Sequence, residues 1–390
     1  MNEIYLDHNA TTFMCLEAMG AMRNCAHLGN ASSKHHKGVE ADRKLVAETK
    51  IIRDILNIPN DARILFTSGA TEANNLAMLG FGGWNDRDSY PGAVMTSGIE
   101  HPSILAPVDE MGDAGWETFV AGTEKGGSVD LDSIERILRD EATGNQVSVM
   151  ALIRANHETG TIQPTRAASM ICKEYDCRLH VDATQAVGKM SVDFMHLGAT
   201  SMSFSAHKFG GPVGIGCLVV KEPDIGWIKP LLFGGHQQRG FRPGTLPVAL
   251  VAGMAAALKH RDDYAGSLRS QAAKHVTLLE ELLTGAGIVA AIHGGPPHTR
   301  VGNTTNISLK GIRATNFVSA LNDRKVYCST GAACSGEDEP SPTLRAMSVG
   351  KDLERSAIRF SVGISNTEGD IREAARRIIE LYQENHDVRG

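Results

Sequence analysis

The sequence predicts an α/β fold, a mostly parallel central sheet with helices on both faces, joined to a smaller α+β domain. Three observations lead there. Short apolar runs alternate with helix-spaced segments through the first half of the chain, which is the rhythm of βαβ units. A long stretch rich in alanine, leucine and charge, from Pro247 to about Leu283, then breaks the alternation. Beyond it, strand-like and helix-like runs return in shorter form. A chain of 390 residues is long enough for two or three structural units. We expect a large domain over 15–260, and a small domain formed by 1–14 together with 261–390.

Element by element, the segment GVEADRKLVAETKIIRDILNI, Gly38 to Ile58, has helical spacing and ends before Pro59. ARILFTS reads as a strand followed by a helix from Ala70, and AVMTS as a strand followed by a helix after Pro102. QVSVMALIR is a strand with a helix near Ala167 behind it, and RLHV and SMSFS are two further strands. The stretch from Pro247 reads as one long helix. After it come VGNTTNISLKG, a helix near Ala314, the strand VYCS, a polar loop, the strand AIRFSVG and a final amphipathic helix.

Composition narrows the function classes. Hydrophobic residues make up 42% and charged residues 22%, ordinary for a globular protein. The net charge of -6 offers no basic face, so no nucleic-acid partner is expected. No apolar run approaches the roughly 20 residues of a membrane helix, so no membrane role is expected either. MNEIYLDHNATT lacks a charged leader followed by an apolar stretch, which makes the cytoplasm the default location. Seven scattered cysteines do not read as a disulfide framework, and Cys172 with Cys177 has no second half for a metal site.

The chemistry concentrates between His180 and Gly216. Asp182 closes the run RLHV, and Lys208 follows SMSFS in the small-residue turn Ser-Ala-His-Lys-Phe-Gly-Gly. An aldehyde cofactor such as pyridoxal 5'-phosphate needs a lysine to hold it as a Schiff base and a carboxylate to keep its pyridine nitrogen protonated. The turn Thr67-Ser68-Gly69-Ala70-Thr71-Glu72 opens a helix, where free backbone N–H groups and threonine hydroxyls suit a phosphate. His101 stands at a strand end, placed to stack on a ring and shuttle protons. Asn156 and Gln185 are candidates to donate to the cofactor's phenolic oxygen. Cys334 sits among Gly, Ala and Ser before an acidic, proline-containing stretch, the composition of a mobile, exposed loop. As a thiolate it would be a nucleophile. Arg359 in AIRFSVG offers the planar fork that suits an amino acid's carboxylate.

The motifs YLDHNATT, TSGATEANNL, IEH, NHETG, HVDATQAVGK, SFSAHKFGGP, RPGT and IRFSVG occur in this order along nearly the whole chain. Together they resemble the cysteine desulfurases, class V aminotransferase-like enzymes of pyridoxal-phosphate fold type I. The likeness is greatest to the group I branch associated with iron–sulfur clusters and nitrogenase. The resemblance implies that Lys208 is the Schiff-base lysine and Asp182 the partner of the pyridine nitrogen. His101 would stack on the ring and act in acid–base steps. Ala70, Thr71, Ser205 and His207 would hold the phosphate, with Thr245 reaching the phosphate of the other subunit of a homodimer. Asn156 and Gln185 would orient the ring, with Asn156 and Arg359 also binding substrate. L-Cysteine would displace Lys208, which removes the Cα proton. Cys334 would take the sulfur as a persulfide, leaving L-alanine, and pass it to an acceptor, an iron–sulfur scaffold or a thiolation enzyme. Selenocysteine lyase is the nearest alternative; an aminotransferase of the same fold, or an inactive binding homologue, is more distant.

The chain departs from the family at several positions. Ala31 replaces a usual proline, Val213 a lysine or arginine, His236 a glycine and Gln238 a glutamate. The loop after Cys334 is one residue short and carries Glu337, Asp338 and Glu339. Three acids there would favour a basic acceptor or disfavour the thiolate.

Overall fold

The computed structural model describes residues 2–84, 92–140, 147–330 and 341–387. The chain opens with β1 (Ile4–Tyr5), α1 (Leu16–Arg23) and α2 (His36–Ile55). Alternating elements follow: β2 (Ala62–Thr67), α3 (Ala70–Phe81), β3 (Ala93–Ser97), α4 (Pro102–Asp113), β4 (Glu117–Ala121) and α5 (Leu131–Arg139). The alternation continues through β5 (Val147–Ile153), α6 (Thr165–Glu174), β6 (Arg178–Asp182), α7 (Phe194–Leu197), β7 (Ser201–Ser205), β8 (Gly216–Lys221) and α8 (Glu222–Ile225).

These strands form a seven-stranded sheet in the order β2-β8-β7-β6-β5-β3-β4. Only β8 runs against its neighbours β2 and β7. β3, β5, β6 and β7 are buried almost throughout, as expected of strands covered on both faces, whereas edge strand β4 is mostly exposed. One face packs against a core that includes Leu45 and Ile52 of α2, and the other against Leu76 and Met78 of α3 and Ile104 of α4.

The rest of the chain is α9 (Val248–Asp263), α10 (Ala265–Gly285), β9 (Val289–His293), β10 (Thr304–Leu309), α11 (Ala314–Asp323), β11 (Val326–Tyr327), α12 (Pro342–Ala346), α13 (Lys351–Arg355), β12 (Ala357–Ser361) and α14 (Glu368–Asp387). β12, β10 and β9 form an antiparallel sheet, and β1 pairs in parallel with β11. Leu279, Ile307, Phe317, Ile358 and Ile371 form a separate core that also takes Ile4 and Leu6 from the start of the chain.

The single helix expected after Pro247 is two. Tyr264, with φ −113° and ψ 15°, breaks it. The break has a packing reason, since α9 buries Met254 and Leu258 in the core of the large sheet and α10 buries Leu279 and Leu283 in the second core. One straight helix cannot aim its apolar stripe at both. α2 also stops short of the expected Ile58, because Asn57 turns left-handed (φ 46°) and the Ile58 N–H bonds back to the Arg53 carbonyl at 2.9 Å. Among the described residues no helix is long and apolar enough to cross a membrane.

Candidate active site

The sheet delivers its loops to one place. Residues 68–71 follow β2, His101 follows β3, Asn156 and His157 follow β5, Asp182 closes β6, and Lys208 ends the 3-10 turn after β7. These are carboxyl ends of strands, where open α/β sheets bind their ligands.

Asp182 is 2% exposed and fully engaged. One carboxylate oxygen accepts the Thr184 backbone N–H at 2.9 Å, and the other accepts Asn74 Nδ2 at 2.8 Å. Asn74 is itself locked. Its Nδ2 also donates to Ser103 Oγ at 2.8 Å, while its Oδ1 accepts the Ser203 hydroxyl and lies 3.0 Å from His180 Nε2. Burial lowers the His180 pKa to about 4, so this imidazole is neutral and adds no charge behind Asp182. A network satisfied at every member holds a buried carboxylate in one orientation.

His101 caps α4. Its Nδ1 accepts the Ser103 backbone N–H at 3.0 Å, which leaves the neutral ring's proton on Nε2. Burial, and then Lys208, push its pKa down, while Asp182 pulls it up. His157 meets this ring edge-on, with centroids 5.3 Å apart. The His157 Nδ1 is buried with no partner, and burial drives its pKa well down, helped by His101, Arg359 and Lys208.

Asn156 is spent on the turn that presents His157. Its Oδ1 accepts the backbone N–H groups of Glu158 and Thr159, both at 2.9 Å. Its Nδ2 donates to the Ile99 carbonyl at 3.0 Å and to Thr343 Oγ1 at 3.3 Å. The structure thus brings His157, rather than the Asn156 amide, beside His101. Sequence reasoning passed over His157; the signal available was its place next to Asn156 in NHETG, one residue further from the strand.

Lys208 Nζ donates to the carbonyls of Asn9 and Ala10 at 2.7 and 2.8 Å. Gln185 Nε2 reaches the same Asn9 carbonyl at 3.0 Å, and Lys189 Nζ donates to Asn9 Oδ1 at 2.7 Å and to Gln185 Oε1. Asn9 in turn donates to the His157 carbonyl at 3.2 Å and to Thr304 Oγ1 at 2.9 Å. Asn9 is therefore the hub that ties the lysine turn to β10. The motif YLDHNATT contained it, but no local pattern marked its role. Burial, reinforced by Lys208, Arg359 and Arg261, drives the Lys189 pKa well down.

Ala70 and Thr71 begin α3, so their backbone N–H groups lie at its positive end. A Cβ on Gly216 would lie 2.5 Å from the Gly69 carbonyl carbon, so only glycine lets β8 pass this close beneath the turn. Ser205 lies beside Gly69, its Oγ 3.8 Å from where a Gly69 Cβ would stand. His207 Nδ1 lies 3.2 Å from Thr11 Oγ1, and burial with Lys208 and Lys189 lowers its pKa to about 4. Glu72 accepts the Ser68 N–H at 2.6 Å and both arms of Arg242 at 2.8 and 3.2 Å, fastening the FRPGT loop to this turn. Thr245 of that loop is exposed. Gln238 bonds the Phe66 N–H and C=O at 2.6 and 2.9 Å, covering the open edge of β2.

Arg359 lies on β12, 4% exposed. Its Nη2 bonds Asp7 Oδ1 at 2.6 Å and its Nη1 the His157 carbonyl at 3.2 Å, while Nε is buried with no partner. Cys334 and the acids Glu337, Asp338 and Glu339 lie outside the described residues. The chain on either side of them is fixed at the site. Ser329 exchanges backbone hydrogen bonds with Arg359 at 2.7 and 3.2 Å. Ser341 Oγ donates to the buried carboxylate of Glu158 at 2.7 Å.

The residues fit pyridoxal 5'-phosphate: an oriented carboxylate at the end of β6, an amine in the turn after β7, a histidine ring after β3, and a glycine-lined helix start for the phosphate. The comparisons agree. A model of the aminotransferase class-V family matches residues 4–373. The chain is 33% identical over 382 residues to an IscS-like cysteine desulfurase of Mycobacterium tuberculosis, covering 95% of this chain and 94% of that one. It is 32% identical to the cysteine desulfurase NifS of Azotobacter vinelandii, covering 100% of this chain and 94% of that one. A solved NifS-like protein superposes with a TM-score of 0.88 at 28% identity, over 98% of this chain and all of the other. The chain therefore belongs to the class-V aminotransferase family, among its pyridoxal-phosphate-dependent cysteine desulfurases.

Proposed function

We propose that the chain takes sulfur from L-cysteine, releases L-alanine and holds the sulfur as a persulfide on Cys334 for an acceptor protein, an iron–sulfur scaffold or a thiolation enzyme. The observation that carries this reading is the tethering of Ser329 to Arg359 and of Ser341 to Glu158, which fixes both flanks of the cysteine's segment at the site.

When bound, pyridoxal 5'-phosphate supplies the electron sink for cleavage beside the substrate's amino carbon. Asp182 would face its ring nitrogen and His101 its ring, with His157 at the ring's edge. The start of α3 with Thr71, Ser205 and His207 would hold the phosphate. Gln185 would orient the ring, and Asn156 would act by shaping the turn that carries His157. Arg359, steadied by Asp7, would bind the substrate carboxylate. Lys208 Nζ would take the Cα proton. The Cys334 thiolate would form a bond to the substrate sulfur as the Cβ–S bond breaks, and protonation at Cβ followed by return of a proton to Cα from Lys208 would complete alanine.

A homodimer in which Thr245 serves the partner's site is supported by the exposed apolar side chains Phe233 and Leu232, next to Gly234, whose backbone packs against Pro243 of that loop. A reducing, cytoplasmic setting is supported by the six described cysteines, all free. The decisive experiment follows alanine and sulfide from L-cysteine in the wild type and in Cys334→Ala. Sulfur transfer should vanish in the variant, and undiminished alanine production would reject the persulfide route.

A further inference from the structure

Gln185 and Asn9 meet in one network behind the lysine turn, and the contacts there decide which way each amide faces. Gln185 Nε2 donates to the Asn9 carbonyl at 3.0 Å. Asn9 Nδ2 donates to the His157 carbonyl at 3.2 Å and to Thr304 Oγ1 at 2.9 Å. A backbone carbonyl only accepts, so the nitrogen of each amide must face it and the oxygen must point elsewhere. Both oxygens turn to Lys189, four residues beyond Gln185. Its Nζ donates to Asn9 Oδ1 at 2.7 Å and to Gln185 Oε1.

The two amides do not depend on Lys189 equally. Asn9 Oδ1 has a second donor, Asn303 Nδ2 at 3.2 Å. Gln185 is 5% exposed, and Lys189 is the donor that meets its oxygen. Without the amine that buried oxygen would be unsatisfied, and the amide would gain by rotating. The Asn9 carbonyl that Gln185 bonds also accepts Lys208 Nζ at 2.7 Å, so the rotation would occur beside the cofactor's lysine.

We propose that Lys189 is a positioning residue of the cofactor site: it holds Gln185 Oε1, so that the amide's remaining N–H is presented to the phenolic oxygen of the cofactor ring. The inference rests on the reading of Gln185 as a ring-orienting residue, and adds the group that decides which end of the amide the ring meets. The role needs donors and not charge, since a lysine amine has two N–H groups for these two oxygens with or without its extra proton.

The test is a spectral titration of the holoenzyme without substrate, following the pH at which the visible band of the lysine-bound cofactor changes. A donor on the phenolic oxygen favours the form that has lost its Schiff-base proton, in which that oxygen carries its full negative charge. Losing the donor should therefore raise the midpoint, by about one pH unit. The rise is expected in Gln185→Ala and in Lys189→Met, and the double variant should move no further than Gln185→Ala. Lys189→Arg keeps N–H donors and should stay near the wild type. Asp7 and His8 after β1, His207 beside Lys208, Arg261 on α9, Arg269 on α10 and Arg359 on β12 also face the two lysines. His101, His157 and Asp182 lie around Lys208 and His101. All of these are unchanged through the cycle, so the coupling of Lys189 to Gln185 is read free of them.

A midpoint that moves in Gln185→Ala but not in Lys189→Met would overturn this proposal alone. So would a further full shift in the double variant, which would mean that Lys189 acts by its charge and not through Gln185. No shift in Gln185→Ala would overturn the reading of Gln185 and this inference with it. If Lys189→Met does not fold, Lys189→Gln takes its place in the cycle.

Discussion

Two neighbourhoods meet at this site and are built differently. Around Asp182, Asn74, Ser103, His180, Ser201 and Ser203 satisfy one another with neutral partners. Around Arg359 and Lys189, cations crowd together, and Arg359 Nε, His157 Nδ1 and His8 Nε2 are buried without partners. The first arrangement is complete without a ligand, and so can hold a ring in a fixed place. The second leaves donors unmatched, and so is built for anionic groups that arrive. Preorganisation belongs to the cofactor half and charge to the substrate half.

The largest effect should come from the lysine that stands between the two. Lys208→Ala should lower alanine formation by about 10³-fold or more, the scale of a lost general base, and abolish the visible absorption of the lysine-bound cofactor. Within the satisfied half, Asn74→Ala should cost about 3 kcal/mol, since one change strands Asp182, Ser103 and Ser203 together. It should also weaken cofactor retention measured by dialysis. A variant as stable as the wild type would mean that this half is not held as a unit. In the charged half the contrast is a binding effect. Arg359→Lys keeps the charge but loses the planar fork, so KM for L-cysteine should rise about 10-fold while the unfolding temperature moves little. A fall in kcat at unchanged KM would place Arg359 outside substrate binding.

The contrast also decides how much could be read from the sequence. Lys208 and Asp182 are legible because Asp182 closes one strand-like run, and Lys208 follows another inside a turn made of small residues. The βαβ order, and the helix starts at Ala70 and Pro102, were legible for the same local reason. Asn9 was not, since its role comes from Thr304 and Lys208, 295 and 199 residues away. His157 is masked by Asn156, whose amide suits a ring-facing role in the sequence but donates to the Ile99 carbonyl and Thr343 in the fold. The break at Tyr264 carries no proline, and the nearby Gly266 lies inside the first turn of α10, so the break follows from two cores that lie in different directions.

The last effect concerns a single proton beside the satisfied half. Glu100, just before His101, is 1% exposed. One of its oxygens accepts the Ser97 hydroxyl at 2.5 Å, while the other is buried with no partner. Burial, with Asp182 adding to it, raises its pKa from 4.5 to about 8 against the opposing bonds from Ser97 and the Ile153 backbone. The native state therefore keeps a proton that the unfolded chain loses above about 4.3. The sign follows directly: between that value and about 8 the native state binds more protons, so stability falls as pH rises through this window and levels off beyond it. Glu100→Gln removes the titration, so the variant's unfolding temperature should gain on the wild type's from pH 5 to pH 8 and stay ahead above it. A difference that is flat across that range would mean Glu100 is ionised beside Asp182. Two carboxylates would then share the pocket, and the half described as satisfied would carry an unmatched charge of its own.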